Sequence, residues 1–319
     1  FITYKTRLSG LINGTTSVFV NIIIALFPLV ALIALGYLLK RTQFIQDTFW
    51  GNSEKLNYFI LFPILLFSNL ASVNLDLNAI ADMLLALCII TFSVSTLLWL
   101  LKRIYAIPPA RFGVYLQSHI RFNTYIGLAL MGTLYGAKGM QLFSMLIAVA
   151  IPLVNILSVM SFSQGEKGQL MKTIFSIIKN PLILGCVVGV LFNLSGLSLF
   201  AGMQSLLKIL ATMSLPLGLI SVGAALQFKL LKLNLRQLTW NTVGRLIMMP
   251  CLAYVVCSWV GLATLESAII TTFFGLPTAS AAYILTRYFQ GDSQLMAGVI
   301  SMQTLGFAVS FPLMMWLLY

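Results

Sequence analysis

Apolar residues run along this chain in long unbroken stretches, not at alternate positions or on one helical face. Ten stretches recur, at approximately 18–39, 56–74, 79–101, 112–135, 139–162, 173–195, 203–226, 237–260, 264–289 and 293–318. Each approaches the ~20 residues a helix needs to cross the hydrocarbon core of a bilayer. A membrane β-barrel would instead show ~10-residue segments of alternating polarity. The pattern predicts an all-α membrane protein of ten transmembrane helices joined by short loops. Trp50, Trp99, Trp240, Trp259 and Trp316 fall at or near segment ends, where an aromatic belt meets the headgroups. Residues 1–17 show no signal-peptide pattern and read as a polar tail or cloning remnant outside the fold.

Composition sharpens this. Of 319 residues, 60% are apolar and 8% charged, where a soluble domain carries about 25% charged residues. Too few charges are present to cover a water-soluble surface, which excludes a soluble enzyme, a disordered tail and a secreted disulfide scaffold. The net charge of +12 would point to nucleic acid in a soluble protein. In a membrane protein it marks cytoplasmic loops. Lys40, Arg41, Lys55, Lys102, Arg103, Arg111, Lys167, Lys172, Lys179, Lys229, Lys232, Arg236 and Arg287 all follow odd-numbered stretches, and only Lys138 and Lys208 follow even-numbered ones. By the positive-inside rule the first set is cytoplasmic and both termini lie outside, so the bilayer is the expected partner and nucleic acid is not. Cys88, Cys186, Cys251 and Cys257 sit in apolar runs without CxxC spacing and read as small core residues. Neither a metal nor a cofactor is expected.

Landmarks repeat at one offset. Pro28 and Pro181, Gly36 and Gly189, and Pro63 and Pro216 are each 153 residues apart, and Asn123-Thr124 precedes Leu276-Pro277 by the same interval. Pro and Gly are common in spanning helices, but four coincidences at one offset favour a repeat. Five helices followed by five place the second copy upside down, so 18–162 and 163–319 are expected to be inverted repeats, the architecture of secondary transporters.

The fourth stretch is the most polar, with Gln117, Ser118, His119, Arg121, Asn123, Thr124 and Tyr125 in its middle and on its cytoplasmic side; the ninth is interrupted by Gly275 and Pro277. Proline removes a backbone donor and clashes with the preceding turn, so that helix must kink or unwind. Two helices broken at mid-membrane would aim the N-terminal ends of their outgoing halves, near Thr124 and Thr278, at a common centre. Such ends carry partial positive charge and free N–H donors, which suit an anion. None of the seven acidic residues falls at the middle of a stretch, whereas a cation carrier would be expected to place one there.

The stretches LFPLVALIALGYLLKR (26–41), KLNYFILFPILLFSNLA (55–71), FNTYIGLALMGTLYG (122–136), GRLIMMP (244–250) and LPTASAAYILTRYFQGD (276–292) resemble, in this order, the auxin efflux carrier family in its bacterial branch. The resemblance implies ten helices in two inverted five-helix repeats, with helices 4 and 9 crossing at the substrate site. It further implies a scaffold of helices 1, 2, 6 and 7 and an elevator-like transport domain of helices 3–5 and 8–10. Substrates would be organic anions, auxin in plants and dicarboxylates such as malate or malonate in bacteria, and a homodimer in the cell inner membrane is plausible on the same ground. Two departures stand out. Phe122 precedes Asn123 where plant members have Pro, and Ala129 follows Gly127-Leu128 where many bacterial members have Pro.

The candidate substrate-binding residues are therefore Asn123, Thr124, Tyr125, Gly275, Leu276, Pro277 and Thr278 at the breaks. Arg121 and Arg245, deep in their stretches, either pair with substrate carboxylates or snorkel to headgroups. Asn69, Ser68 and Gln303 either line the cavity or hold helices together. His119, the only histidine, either carries a coupling proton or is structural. The leading function is a secondary transporter of small organic anions. A sodium- or proton-coupled symporter of a larger anion and a non-transporting sensor are the alternatives. An enzyme is not expected, since the chain lacks HExxH, paired intramembrane carboxylates and a Ser/His/Asp set.

Overall fold

The computed structural model describes residues 2–71, 77–162, 179–232 and 234–318, without the side chains of 2–21, 77–79 and 232. The side chains of the predicted tail, the end of the second stretch, the start of the sixth, Lys167 and Lys172 lie outside the described residues.

The described chain is helical, with no strand. Helix α1 spans Ile2–Arg41, so its backbone runs on from the segment read as a tail. Helices α2 (Asp47–Leu56) and α3 (Phe62–Leu70) are joined through a π-helical turn, Asn57–Leu61. Next come α4 (Leu77–Ile104), α5 (Pro109–Ile120) and α6 (Thr124–Phe162). Helices α7 (Pro181–Leu194) and α8 (Ala201–Ala224) lead to a 3-10 turn at Phe228–Lys232. Helices α9 (Leu235–Val243) and α10 (Met249–Val260) flank a second π turn, Gly244–Met248. The chain closes with α11 (Thr264–Gly275), α12 (Ala281–Tyr288) and α13 (Ser293–Leu318).

Six of these helical stretches are long and apolar enough to cross a membrane. One of them, Pro109–Phe162, covers 54 residues, far more than one crossing requires. It folds back at Gly136, whose φ of 59° is open to glycine without strain. Beyond this turn Gly127 faces the Phe143 ring and Gly132 faces Met140.

Large apolar side chains cover the outside: Phe27 is 71% exposed and Val309 74%. That surface suits lipid and is unsuited to water. Trp240, Trp259 and Trp316 are exposed as an aromatic belt requires. Trp50 departs from that expectation; it is buried, with its ring edge-on to Phe49. Of the cysteines, Cys186 and Cys257 are buried as expected and Cys88 is half-buried, whereas Cys251 is exposed and is not a core residue.

Two helix pairs approach to backbone contact. A Cβ at Gly36 would lie 1.9 Å from the Ile220 carbonyl oxygen, and one at Gly223 would lie 1.8 Å from that of Ile33, so α1 and α8 touch through their glycines. Likewise Gly185 and Gly189 of α7 lie against the Pro63 and Phe67 carbonyls of α3. Small residues allow such approaches, which gain dispersion contacts where lipid offers no hydrophobic drive.

Candidate functional site at the crossing of two broken helices

Both predicted interruptions are present. The first separates α5 from α6 at residues 121–123, with Arg121 extended (φ −79°, ψ 142°). No proline occupies it; instead the Asn123 side chain caps α6 by accepting from the Ile126 amide at 3.1 Å. The second separates α11 from α12 at residues 276–280. The breaks meet, since the Asn123 amide donates to the Pro277 carbonyl at 2.8 Å. Irregular backbone inside a bilayer is tolerated only where its polar groups are satisfied in this way.

A cavity of about 140 Å³ opens at this crossing. The first residues of α6, Thr124 and Tyr125, line it together with Ser280 and Ala281 at the start of α12. Two helix N-termini thus reach one small space, each with partial positive charge and N–H groups left over from its first turn. Arg121 adds a full charge to the lining. Its Nε donates to Ser158 Oγ at 3.1 Å and its Nη2 to Asn155 Oδ1, which fixes the guanidinium without a carboxylate. Tyr125 is wedged between the Phe62 ring, edge-on at 5.0 Å, and Gly218 of α8.

Other expected residues go elsewhere. Gly275, Leu276, Pro277 and Thr278 build the second break but do not line the cavity. Thr278 sends its amide (2.9 Å) and hydroxyl (2.7 Å) to Gln303 Oε1, and Gln303 Nε2 donates to the Ser118 and Asn241 carbonyls. Gln303 thereby satisfies the second break at Thr278 and ties it to α5 and α9. Arg245 is completely buried, with its guanidinium on backbone carbonyls. His119 turns toward a different recess, beside Arg236 and Trp240, with Nδ1 2.8 Å from the Tyr115 carbonyl oxygen. Asn69 lines a separate cavity of about 880 Å³ and donates to Ser144 Oγ at 3.1 Å; Ser68 lines it too.

Glu54, Tyr58, Asn155 and Asn180 line the crossing cavity and went unread in the sequence. Asn180 had a legible signal, because it stands before Pro181 and caps α7 by accepting from the Leu182 amide at 2.9 Å. Glu54 lies outside the spanning stretches, and burial raises its carboxyl above the ordinary carboxylate range. Ionised, it opposes an anion in the cavity; protonated, it does not. For an anion placed in this cavity, affinity is expected to rise as pH falls through the Glu54 pKa, and Glu54→Gln should remove that dependence. Binding titrations of a strong-acid anion, such as a sulfonate, across pH check this without change in ligand charge.

The lipid-facing helical exterior defines an integral membrane protein, with a small cavity at two broken helices. A profile described as membrane transport protein matches residues 21–315, and the chain belongs to that family, the auxin efflux carrier family of the resemblance above. The chain is also 25% identical over 295 residues, 88% of this chain and 93% of the relative, to an uncharacterized transporter of Methanothermobacter thermautotrophicus.

Proposed function

We propose that this protein is a secondary transporter of small organic anions, with dicarboxylates such as malate or malonate as the leading candidates. The observation that carries the reading is the crossing cavity, where two helix N-termini and Arg121 gather positive potential in a space of about 140 Å³. An Arg guanidinium matches a carboxylate in bidentate geometry.

Alternating access through two inverted five-helix repeats is the mechanism we favour. The cavity residues Glu54, Tyr58, Phe62 and Leu182 each have a counterpart 153 positions away, namely Leu207, Ala211, Leu215 and Leu29, and all four counterparts line the 880 Å³ cavity. On this reading the two spaces occupy related places in the two repeats, one wide and one constricted, as expected for a carrier resting open to one side. The glycine-mediated pairs α1–α8 and α3–α7 likewise exchange under the repeat and form the proposed scaffold. On this reading α4–α6 and α9–α13 move together against it. By the positive-inside rule the wide cavity faces the periplasm, as do both termini, in a bacterial cytoplasmic membrane; a homodimer fits the same reading. Glu54 beside the cavity favours proton coupling over sodium coupling as the second choice.

Purified protein in proteoliposomes is expected to take up labelled dicarboxylates faster than empty vesicles do. A panel of organic anions in which none moves, or one that binds without moving, would replace the transporter by the sensor.

A further inference from the structure

Arg245 is the largest fully buried side chain among the described residues, and neither Asp nor Glu pairs with it there. It sits in the π turn Gly244–Met248, whose widened backbone is a common feature of functional sites. Its Nε donates to the Leu276 carbonyl at 2.6 Å, its Nη2 to the Phe273 carbonyl at 3.2 Å, and its Nη1 to the His119 carbonyl. Those acceptors share one property. His119 belongs to the last turn of α5, and Phe273 and Leu276 to the end of α11. Both are C-terminal ends of half-helices that stop at the crossing, where carbonyls left without the amide four residues on carry partial negative charge. Close approach is possible because residue 244 is glycine; a Cβ there would lie 2.4 Å from His119 Nε2.

We infer that the Arg245 guanidinium is a tethered cation, filling the place between two half-helix C-termini where a dissociable monovalent cation could otherwise bind. The proposal deepens the transport reading and rests on it. Half-helix C-termini in transporters coordinate sodium through their carbonyls. Here three such carbonyls are already occupied by a charge that cannot leave. The electrostatic consequence reaches the cavity. Each broken helix contributes a positive N-terminus to the site and a negative C-terminus to the crossing. Neutralising the C-termini with Arg245 keeps them from opposing the N-terminal potential, so Arg245 is a positioning residue for the anion without touching it.

The test removes the charge and supplies it from solution. Wild-type protein should show the same thermal midpoint and anion affinity in sodium, potassium or N-methylglucamine chloride. Arg245→Ala should lose at least about tenfold in anion affinity and several degrees in thermal midpoint in N-methylglucamine. Added guanidinium or sodium ions at millimolar concentration should restore both, while Arg121→Ala should show no such rescue. Arg245→Lys, with a single ammonium, should retain folding and fall between the two. If the wild type requires sodium for stability or binding, the inference is overturned. It is equally overturned if Arg245→Ala binds as the wild type does without added cation, or is rescued by no cation while Arg245→Lys remains folded. Should Arg245→Ala not fold at all, the sodium dependence of the wild type and the affinity of Arg245→Lys decide the matter. The rescue of thermal midpoint needs no substrate, so failure to find a transported anion would sink the transport reading without deciding this one.

Discussion

Arg121→Ala is expected to lower anion affinity and uptake by about 10- to 100-fold while leaving the protein folded. Hydrogen bonds to charged groups contribute ~1.5–3 kcal/mol, and each 1.4 kcal/mol is a factor of ten. The side chain borders a cavity, and its protein partners, Ser158 and Asn155, are neutral. Removing it therefore leaves no buried carboxylate unpaired, the usual cause of collapse when an ion pair is broken. Ser158 Oγ also donates to the Val154 carbonyl and keeps that bond. Arg121→Lys should recover only part of the loss, because an ammonium cannot present the two parallel N–H groups of a guanidinium. Isotope uptake in proteoliposomes, with thermal melting as the folding control, separates the outcomes. Unchanged uptake by a folded Arg121→Ala would remove the cavity from the substrate path.

The largest expected effect on stability lies at the contact between α1 and α8. Gly223→Ala places a methyl group 1.8 Å from the Ile33 carbonyl oxygen. The obstacle is backbone, so no rotamer change relieves it and the helices must separate. Overpacking costs ~1–3 kcal/mol in well-packed cores. The upper end applies here and corresponds to about 6–12 °C in thermal midpoint, at ~2–4 °C per kcal/mol for a chain of this size class. Gly51→Ala is the control, since a Cβ there meets nothing within 4 Å. Gain of one methyl in a helix should leave its melting unchanged or slightly raised. Equal melting of Gly223→Ala and wild type would mean that α1 and α8 are not in backbone contact.

Arg121 and Arg245 show where sequence reading stops. Both stand two to three turns inside an apolar stretch, and nothing in their neighbours tells them apart. The structure sends Arg121 to a cavity and Arg245 to backbone carbonyls. Every residue carries a carbonyl, so composition cannot reveal where several converge; that follows only from two helices ending at the same point. The breaks themselves were legible because Pro277 and the Asn123-Thr124 pair carry local backbone chemistry. Glu54 and Asn155 were not, since their place in the cavity depends on which helices become neighbours. Gln303 was legible as polar but not as the partner of the second break, because Thr278 lies 25 residues away.

The hydrogen bond between the Asn123 amide and the Pro277 carbonyl has a bearing on biogenesis. The first break contains no proline, so the Asn123 amide depends on an acceptor 154 residues further along the chain. The α5–α6 junction therefore reaches its final hydrogen bonding only once residue 277 is in place, which makes completion of the early half of the chain conditional on the late half.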